Sequence, residues 1–341
     1  RDNVMEYGEL ADLVHEYNPT VRSNRSTLSD KKNQDLTEIN DKLLSDAMDL
    51  WDDASSTDTD SYMGRMTAAN LDFAGNTLAQ TADKNFMDAE MYKISYDQTE
   101  ANLVFQAQQL MTTYKQSAYT MENLNANRAL AQASYEATVA RQAAGMATQT
   151  EVLTSLKNVQ DIDANILSAQ KSTDNVYRSL LLMLGWSADS QPEIRDIPEP
   201  DLARIGAMDP DADREQALAN NYEIKSDEHK LQNLKTNEQA DATKADLEDK
   251  LNQVYSSLKT QYNAVLDAKD ALDAANIKLQ LETVNMNAAS AKAATGNISA
   301  LELIQQQTSY TTAKNSVETG KMQLTLAMEK YDWIKKGLTF S

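Results

Sequence analysis

The chain has 341 residues, of which 41 % are hydrophobic, 6 % aromatic and 25 % charged, with a formal net charge of −20. That balance excludes a thick globular core of large side chains and suits thin helical layers sharing narrow seams. It also argues against nucleic-acid binding, because the lysines at 31, 32, 335 and 336 form pairs rather than a basic stripe. Cysteine is absent, which removes disulfides and thiolate metal sites.

Val4 to Val14 is expected as an opening helix, with Leu10, Leu13 and Val14 on one side. Asn18-Pro19 ends it and starts another, since proline suits a first helical position. That second helix is expected from Thr20 to about Trp51. The acidic, hydroxyl-rich run Asp52 to Ser61 reads as a loop. Helix is expected again near Tyr62 and, after Gly75, on towards Ala143. From Leu103 a regular seam follows: Ala107, Leu110, Tyr114, Ser117, Met121 and Leu124, spaced by fours and threes and continued by Ala131 and Tyr135. A helix from Asp88 to Ala143 would be roughly 80 Å long at about 1.5 Å per residue. The returning helix, Thr150 to Leu184, closes at Gly185-Trp186.

Ser187 to Pro210 holds four of the five prolines and is expected as an extended connector. The second half restarts near Asp213. Arg214 to Lys225 echoes Gly8 to Arg22, with Asn221 matching Asn18 and Ile224 matching Val21. A seam through Leu247, Leu251, Val254, Leu258, Tyr262, Val265, Leu272, Leu279 and Met286 leads to Gly296. The last helix uses Ile304, Ala313, Val317, Leu324, Met328 and Tyr331 and ends near Lys335-Lys336-Gly337.

Two short breaks organise this pattern. Arg141, Gly145, Thr148, Glu151 and Val152 recur 151 residues later as Lys292, Gly296, Ser299, Glu302 and Leu303. In each, glycine lets the backbone leave a helix, and a hydroxyl residue followed three later by Glu has capping-box spacing. Recurrence of the whole cassette between long helices marks a duplicated unit. The organisation read from the sequence is a first repeat over 1–186 with its turn at 145–151, a connector over 187–212, and a second repeat over 213–341 with its turn at 296–302. The first copy carries about fifty extra residues, assigned to 47–96.

Two copies of a start helix, a long helix, a Gly-x-x-[Ser/Thr]-x-x-Glu turn and a return helix resemble the TolC-type outer-membrane efflux and secretion channels. The Asn18-Pro19 and Asn220-Asn221 openings and Leu180-Leu181-Leu182-Met183-Leu184-Gly185 share in that resemblance. It implies an all-α fold of elongated antiparallel coiled-coil hairpins and a subunit of an export conduit. It further implies a homotrimer and a periplasmic-adaptor-like or transporter partner. Arg141, Gly145, Thr148, Glu151, Val152, Lys292, Gly296, Ser299, Glu302 and Leu303 would then form partner-docking tips. The pattern departs from the family in lacking barrel strands: residues 237–251 show no strand alternation, and the first-copy insertion is Asp-rich. Autonomous membrane insertion is therefore not expected. A native barrel-less relative from a bacterium without an outer membrane is favoured over a chain with its strands deleted. An extracytoplasmic location, in the cell envelope or surface-associated, is expected, with a signal peptide either removed or trimmed from the sequence. The competing class is a monomeric extracytoplasmic helical spacer retaining the same fold.

No enzyme, cofactor or metal site is expected. His15 and His229 have no nucleophile or ligand set near them in sequence, and Glu100, Asp161, Asp163, Asp227 and Glu228 read as solvated helix faces. There is no Gly-x-x-x-x-Gly-Lys-[Ser/Thr] loop. Tyr114, Met121, Tyr262 and Met286 read as seam packing.

Overall fold

The computed structural model describes residues 3–234 and 237–340. In chain order the helices are α1 (Leu10–Tyr17), α2 (Pro19–Lys31), α3 (Leu36–Ser56), α4 (Tyr62–Lys84), α5 (Ala89–Ala143), α6 (Gln149–Met183), α7 (Leu202–Ile205), α8 (Pro210–Asn220), α9 (Tyr222–Asn233), α10 (Asn237–Ala294) and α11 (Ala300–Lys335). The strands among the described residues are β1 (Val4–Met5) and β2 (Glu193–Ile194), so the fold is all-α apart from this single two-residue pairing. The chain forms two compact units, residues 1–18, 102–211 and 258–333 in one, residues 19–101, 212–257 and 334–341 in the other. The units do not follow the two halves of the sequence.

In the first unit, α5 turns into α6 and α10 into α11. Arg128 pairs with Asp163 at 2.5 Å and the Tyr114 and Tyr177 rings lie 5.3 Å apart; both pairs are centred between Gly145 and Met146, which defines an antiparallel register. Gln261 donates to the Ala327 carbonyl at 2.9 Å, and Leu272 packs on Gly320, giving α10 and α11 the same arrangement. Residues seven apart are buried along these helices: Val152 and Val159, then Leu258, Val265 and Leu272, then Val317, Leu324 and Tyr331. That is the spacing of helices packed side by side.

On α5 the expected seam residues Ala107 and Ala131 are buried and Leu103, Leu110, Tyr114 and Met121 half-buried, while Val104, Phe105 and Met111, outside that seam, are buried as well. The helix faces both α6 and α11, where Asn315 donates to Asn123 at 2.9 Å. Its buried arc is therefore wider than a two-helix stripe.

The opening segment differs from the expected helix. Val4–Met5 pairs in parallel with Glu193–Ile194, and α1 begins only at Leu10. The Asn3 and Met5 carbonyls accept from the Glu193 and Arg195 amides at 2.9 Å, which holds that backbone extended. The connector is also more structured than its prolines suggest. Lys115 donates to the Ile194 carbonyl at 2.7 Å and Thr325 to the Pro198 carbonyl at 3.1 Å, and Asp201 caps the one-turn helix α7.

In the second unit the expected helix from Thr20 to Trp51 is two helices. Asp35 starts α3 afresh by accepting from the Thr37 and Glu38 amides at 2.9 and 3.1 Å. The acidic run then continues α3 to Ser56 instead of forming a loop. Ser55 and Ser56 donate back to the Asp52 and Asp53 carbonyls, and Ala54 is buried on the seam with Asn40 and Ala47. Only residues 57–61 turn, and Ser61 caps α4 through the Gly64 amide at 2.9 Å.

Helix α4 does not run on to Ala143. It stops at Lys84, and Asp88 starts α5 by accepting from the Met91 amide at 2.9 Å. The result is an antiparallel α3–α4 hairpin, held by the Asn40–Asn85 amide pair and by Trp51 against Gly75. His229, which has no ligand set near it in sequence, bonds Asp88 at 2.7 Å, and Asn233 donates to the same carboxylate at 3.0 Å. Asp88 is held below its ordinary range although its partial burial opposes this. The Met91 amide is the largest favourable cause, followed by His229 and Asn233.

Corresponding residues of the two sequence halves adopt matching conformations. Asn18 and Asn221 share an extended backbone, with φ of −65° and −60° and ψ of 126° and 124°. Val21 and Ile224 are both buried. Asn18 donates to the Met183 carbonyl at 2.8 Å, while Asn221 donates to the Gly337 carbonyl at 3.2 Å.

Candidate docking turns

Among the described residues, positive φ occurs at Gly145, Gly185, Gly296 and Gly337. Gly145 and Gly296 have φ of 74° and 71° and lie at the two turns anticipated from the sequence. The Gly145 amide donates to the Gln142 carbonyl at 2.9 Å and the Met146 amide to that of Arg141 at 2.8 Å. In the second turn Gly296 donates to Ala293 at 3.0 Å and Asn297 to Lys292 at 2.8 Å. This paired termination satisfies carbonyls that the helix end would otherwise leave open.

The next helix starts on a reciprocal cap in both copies. The Thr148 amide and hydroxyl donate to Glu151 Oε2 at 2.7 and 2.9 Å, and the Glu151 amide donates to Thr148 Oγ1 at 3.2 Å. For Ser299 and Glu302 the three distances are 3.0, 2.7 and 3.2 Å. Both glutamates are held below the usual carboxylate range. The first cause is the backbone amide of Thr148 or Ser299, then its hydroxyl, with a smaller contribution from the Arg141 or Lys292 charge.

A lowered carboxyl pKa means that the cap is complete above the unfolded-state value and is lost as pH falls through the folded value. The Thr148 and Ser299 amide resonances should therefore titrate with midpoints below the ordinary glutamate value of about 4.3. Glu151→Gln and Glu302→Gln keep a neutral reciprocal cap and should abolish the titration at the substituted turn. A midpoint at or above the ordinary value would contradict the geometry.

The ten residues singled out from sequence divide by exposure. Arg141, Gly145, Thr148, Glu151, Lys292, Gly296, Ser299 and Glu302 are exposed. Leu303 is half-buried and Val152 is only 7 % exposed, so these two anchor their turns from inside. The Arg141 guanidinium reaches across its own turn to the Met146 carbonyl at 3.3 Å. Met146 and Leu153 stand exposed beside it and were not anticipated, because an apolar residue at helical spacing reads as core until its facing is known.

Behind the first turn, α5 and α6 border an open groove of about 680 Å³, lined by Ser134, Thr138 and Arg141 on one side and Thr148, Thr154 and Asn158 on the other. Glu151, Lys157 and Asp161 line it as well, the first bound into its cap and the other two paired at 2.6 Å, and such hydroxyl, amide and charged groups suit hydrogen bonding to a polar partner surface. Of the acids read as solvated helix faces, Asp161 pairs with Lys157 and Asp163 with Arg128 at the surface, whereas Asp227 is buried and pairs with Lys250. No group of three or more His, Asp or Glu residues that could hold a metal ion occurs among the described residues. No helix there is long and apolar enough to cross a membrane.

No family model matches the sequence, and no curated protein matches it. Solved structures do. A membrane protein from Pseudomonas aeruginosa aligns with a TM-score of 0.61 at 12% identity, covering 97% of this chain and 93% of that one. The outer-membrane channel OprN aligns at 0.63 and 11% identity, covering 97% and 90%. The Campylobacter jejuni CmeC outer membrane channel aligns at 0.58 and 10% identity, covering 97% and 85%. With its glycine turns, reciprocal caps and paired long helices, the chain has the fold of the TolC-type outer-membrane channels, with no closed barrel among the described residues.

Proposed function

We propose that the chain is a non-enzymatic, extracytoplasmic subunit of an envelope export conduit, which assembles as a homotrimer and docks through its two glycine turns onto a helical adaptor-like or transporter partner. The likeness to outer-membrane channels supports the architecture this requires. One feature of α10 carries the assembly. Ile277, Leu281 and Val284 are 67, 57 and 65 % exposed and fall on one face at i, i+4 and i+7. At about 100° per residue that face lies opposite the one carrying buried Leu272. A helix apolar on two opposed faces needs a second neighbour.

The turns support docking because their exposed hydroxyls, Arg141 and Lys292 stand on backbone that is already capped and ordered. Sedimentation equilibrium on the full chain tests the reading; a trimer is expected, and a monomer at high concentration would overturn it.

A second reading, a monomeric helical spacer, is favoured by the seam of Leu258, Val265, Leu272, Val317, Leu324 and Tyr331, which is buried within one chain. It leaves the outer face of α10 without a purpose.

A further inference from the structure

The α3–α4 hairpin carries a surface that neither its own packing nor the conduit reading uses. Its internal seam is built from Asn40, Ala47 and Ala54 on α3 and from Gly75 and Ala82 on α4, all buried. On α4, Tyr62, Met66 and Phe73 follow at i, i+4 and i+11. At about 100° per residue they fall within about 40° of one another and opposite Gly75 and Ala82. They are 69, 46 and 74 % exposed, and Met63 beside them is 71 % exposed. The stripe is roughly 16 Å long at about 1.5 Å per residue. Two large aromatics and two adaptable thioethers make it a surface on which an apolar helix face can settle.

We propose that this outer face of α4 docks a cationic amphipathic helix of a partner protein. The charge on the hairpin selects that occupant. Residues 36–84 hold ten acids against three bases. Asp58, Asp60 and Asp72 border the stripe in sequence and are exposed. The nearest base, Arg65, is turned back on its own loop, donating to the Thr59 and Asp60 carbonyls at 3.1 and 3.3 Å. A second copy of the hairpin would bring like charges together, and an anionic lipid surface would be repelled. A helix with leucines on one face and lysines on the other matches both the stripe and its acidic rim. This surface is independent of the glycine turns and of α10, so its failure and that of the conduit reading are separately visible.

The test uses the full chain and a fluorescent synthetic helix with leucines at i, i+3, i+4 and i+7 and lysines elsewhere. A scrambled peptide of the same composition measures attraction by charge alone. The ordered helix should bind at least about tenfold tighter than the scrambled one, the equivalent of burying part of two large side chains. The Met66→Ser/Phe73→Ser variant should lose about that factor while its unfolding midpoint stays unchanged, since both side chains are exposed. Leu167→Ser, which removes an exposed leucine on α6, should bind like the parent. Equal binding of ordered and scrambled peptides, or no loss in the double variant, would overturn the proposal. So would stripe-dependent binding to phosphatidylcholine vesicles, or self-association that disappears in the double variant.

Discussion

Gly185→Ala and Gly337→Ala are each expected to lower stability by about 3 kcal/mol or more, whereas Gly145→Ala and Gly296→Ala should cost about 1–2 kcal/mol. All four glycines have positive φ, between 71° and 112°, so every one of these substitutions carries the strain of a left-handed backbone. Space separates them. A Cβ on Gly185 would stand 2.6 Å from the Tyr17 carbonyl oxygen, and one on Gly337 would stand 2.2 Å from that of Asn220. Nothing lies within 4 Å of the same atom at Gly145 or Gly296.

The crowding at Gly185 and Gly337 has a reason. At the first corner Asn18 bonds the Met183 carbonyl, and at the second Asn220 bonds that of Lys335 at 2.9 Å, drawing each helix end against the start of its own repeat. Relieving the clash would break those bonds and uncover Asn221, which is fully buried. Urea midpoints of the four single variants at equal protein concentration decide the matter. Equal losses at all four positions would mean that the corners relax and that close approach is not what these two glycines provide.

The same comparison explains what could be read from the sequence. Gly145 and Gly296 were legible because their requirements are local: a left-handed residue, a hydroxyl cap and a glutamate three positions on are all written within a few residues. The direction of neighbouring side chains was not legible. Val152 and Met146 are both apolar, yet one faces inward and the other outward, and only the opposing helix decides which. The end of α3 was misplaced for a related reason. Asp52 to Ser61 has the composition of a loop, but its serines bond back along the helix. The seam that pulls Ala54 inward is marked by alanines and a buried Asn40 rather than by leucines. Strand β1 was invisible because its pairing partner lies at Glu193–Ile194, far along the chain.

Substituting Ile277, Leu281 and Val284 together by serine should convert the assembled protein to monomers without unfolding it. Folding should survive because all three side chains are largely exposed in the single chain, and exposed serine in a helix costs only tenths of a kcal/mol. Assembly should not survive. Burying a large aliphatic side chain contributes about 2 kcal/mol, so three at one interface contribute about 6, roughly four powers of ten in an association constant. That figure is an upper bound, because immobilising the side chains offsets part of it.

Charge sharpens the expectation. At a formal net charge of −20 copies of the chain repel one another, so the proposed assembly needs a short-range apolar contact to offset that repulsion. Added salt should therefore strengthen assembly of the parent protein by screening that repulsion. It should not rescue the triple variant, which has lost the contact itself. Sedimentation equilibrium at low and high salt, with circular dichroism to verify the helices, distinguishes the outcomes. A triple variant that still assembles would place the subunit contact on another face of the molecule. Retained assembly together with the opposite salt dependence would show that ion pairs, not the outer stripe of α10, join the copies.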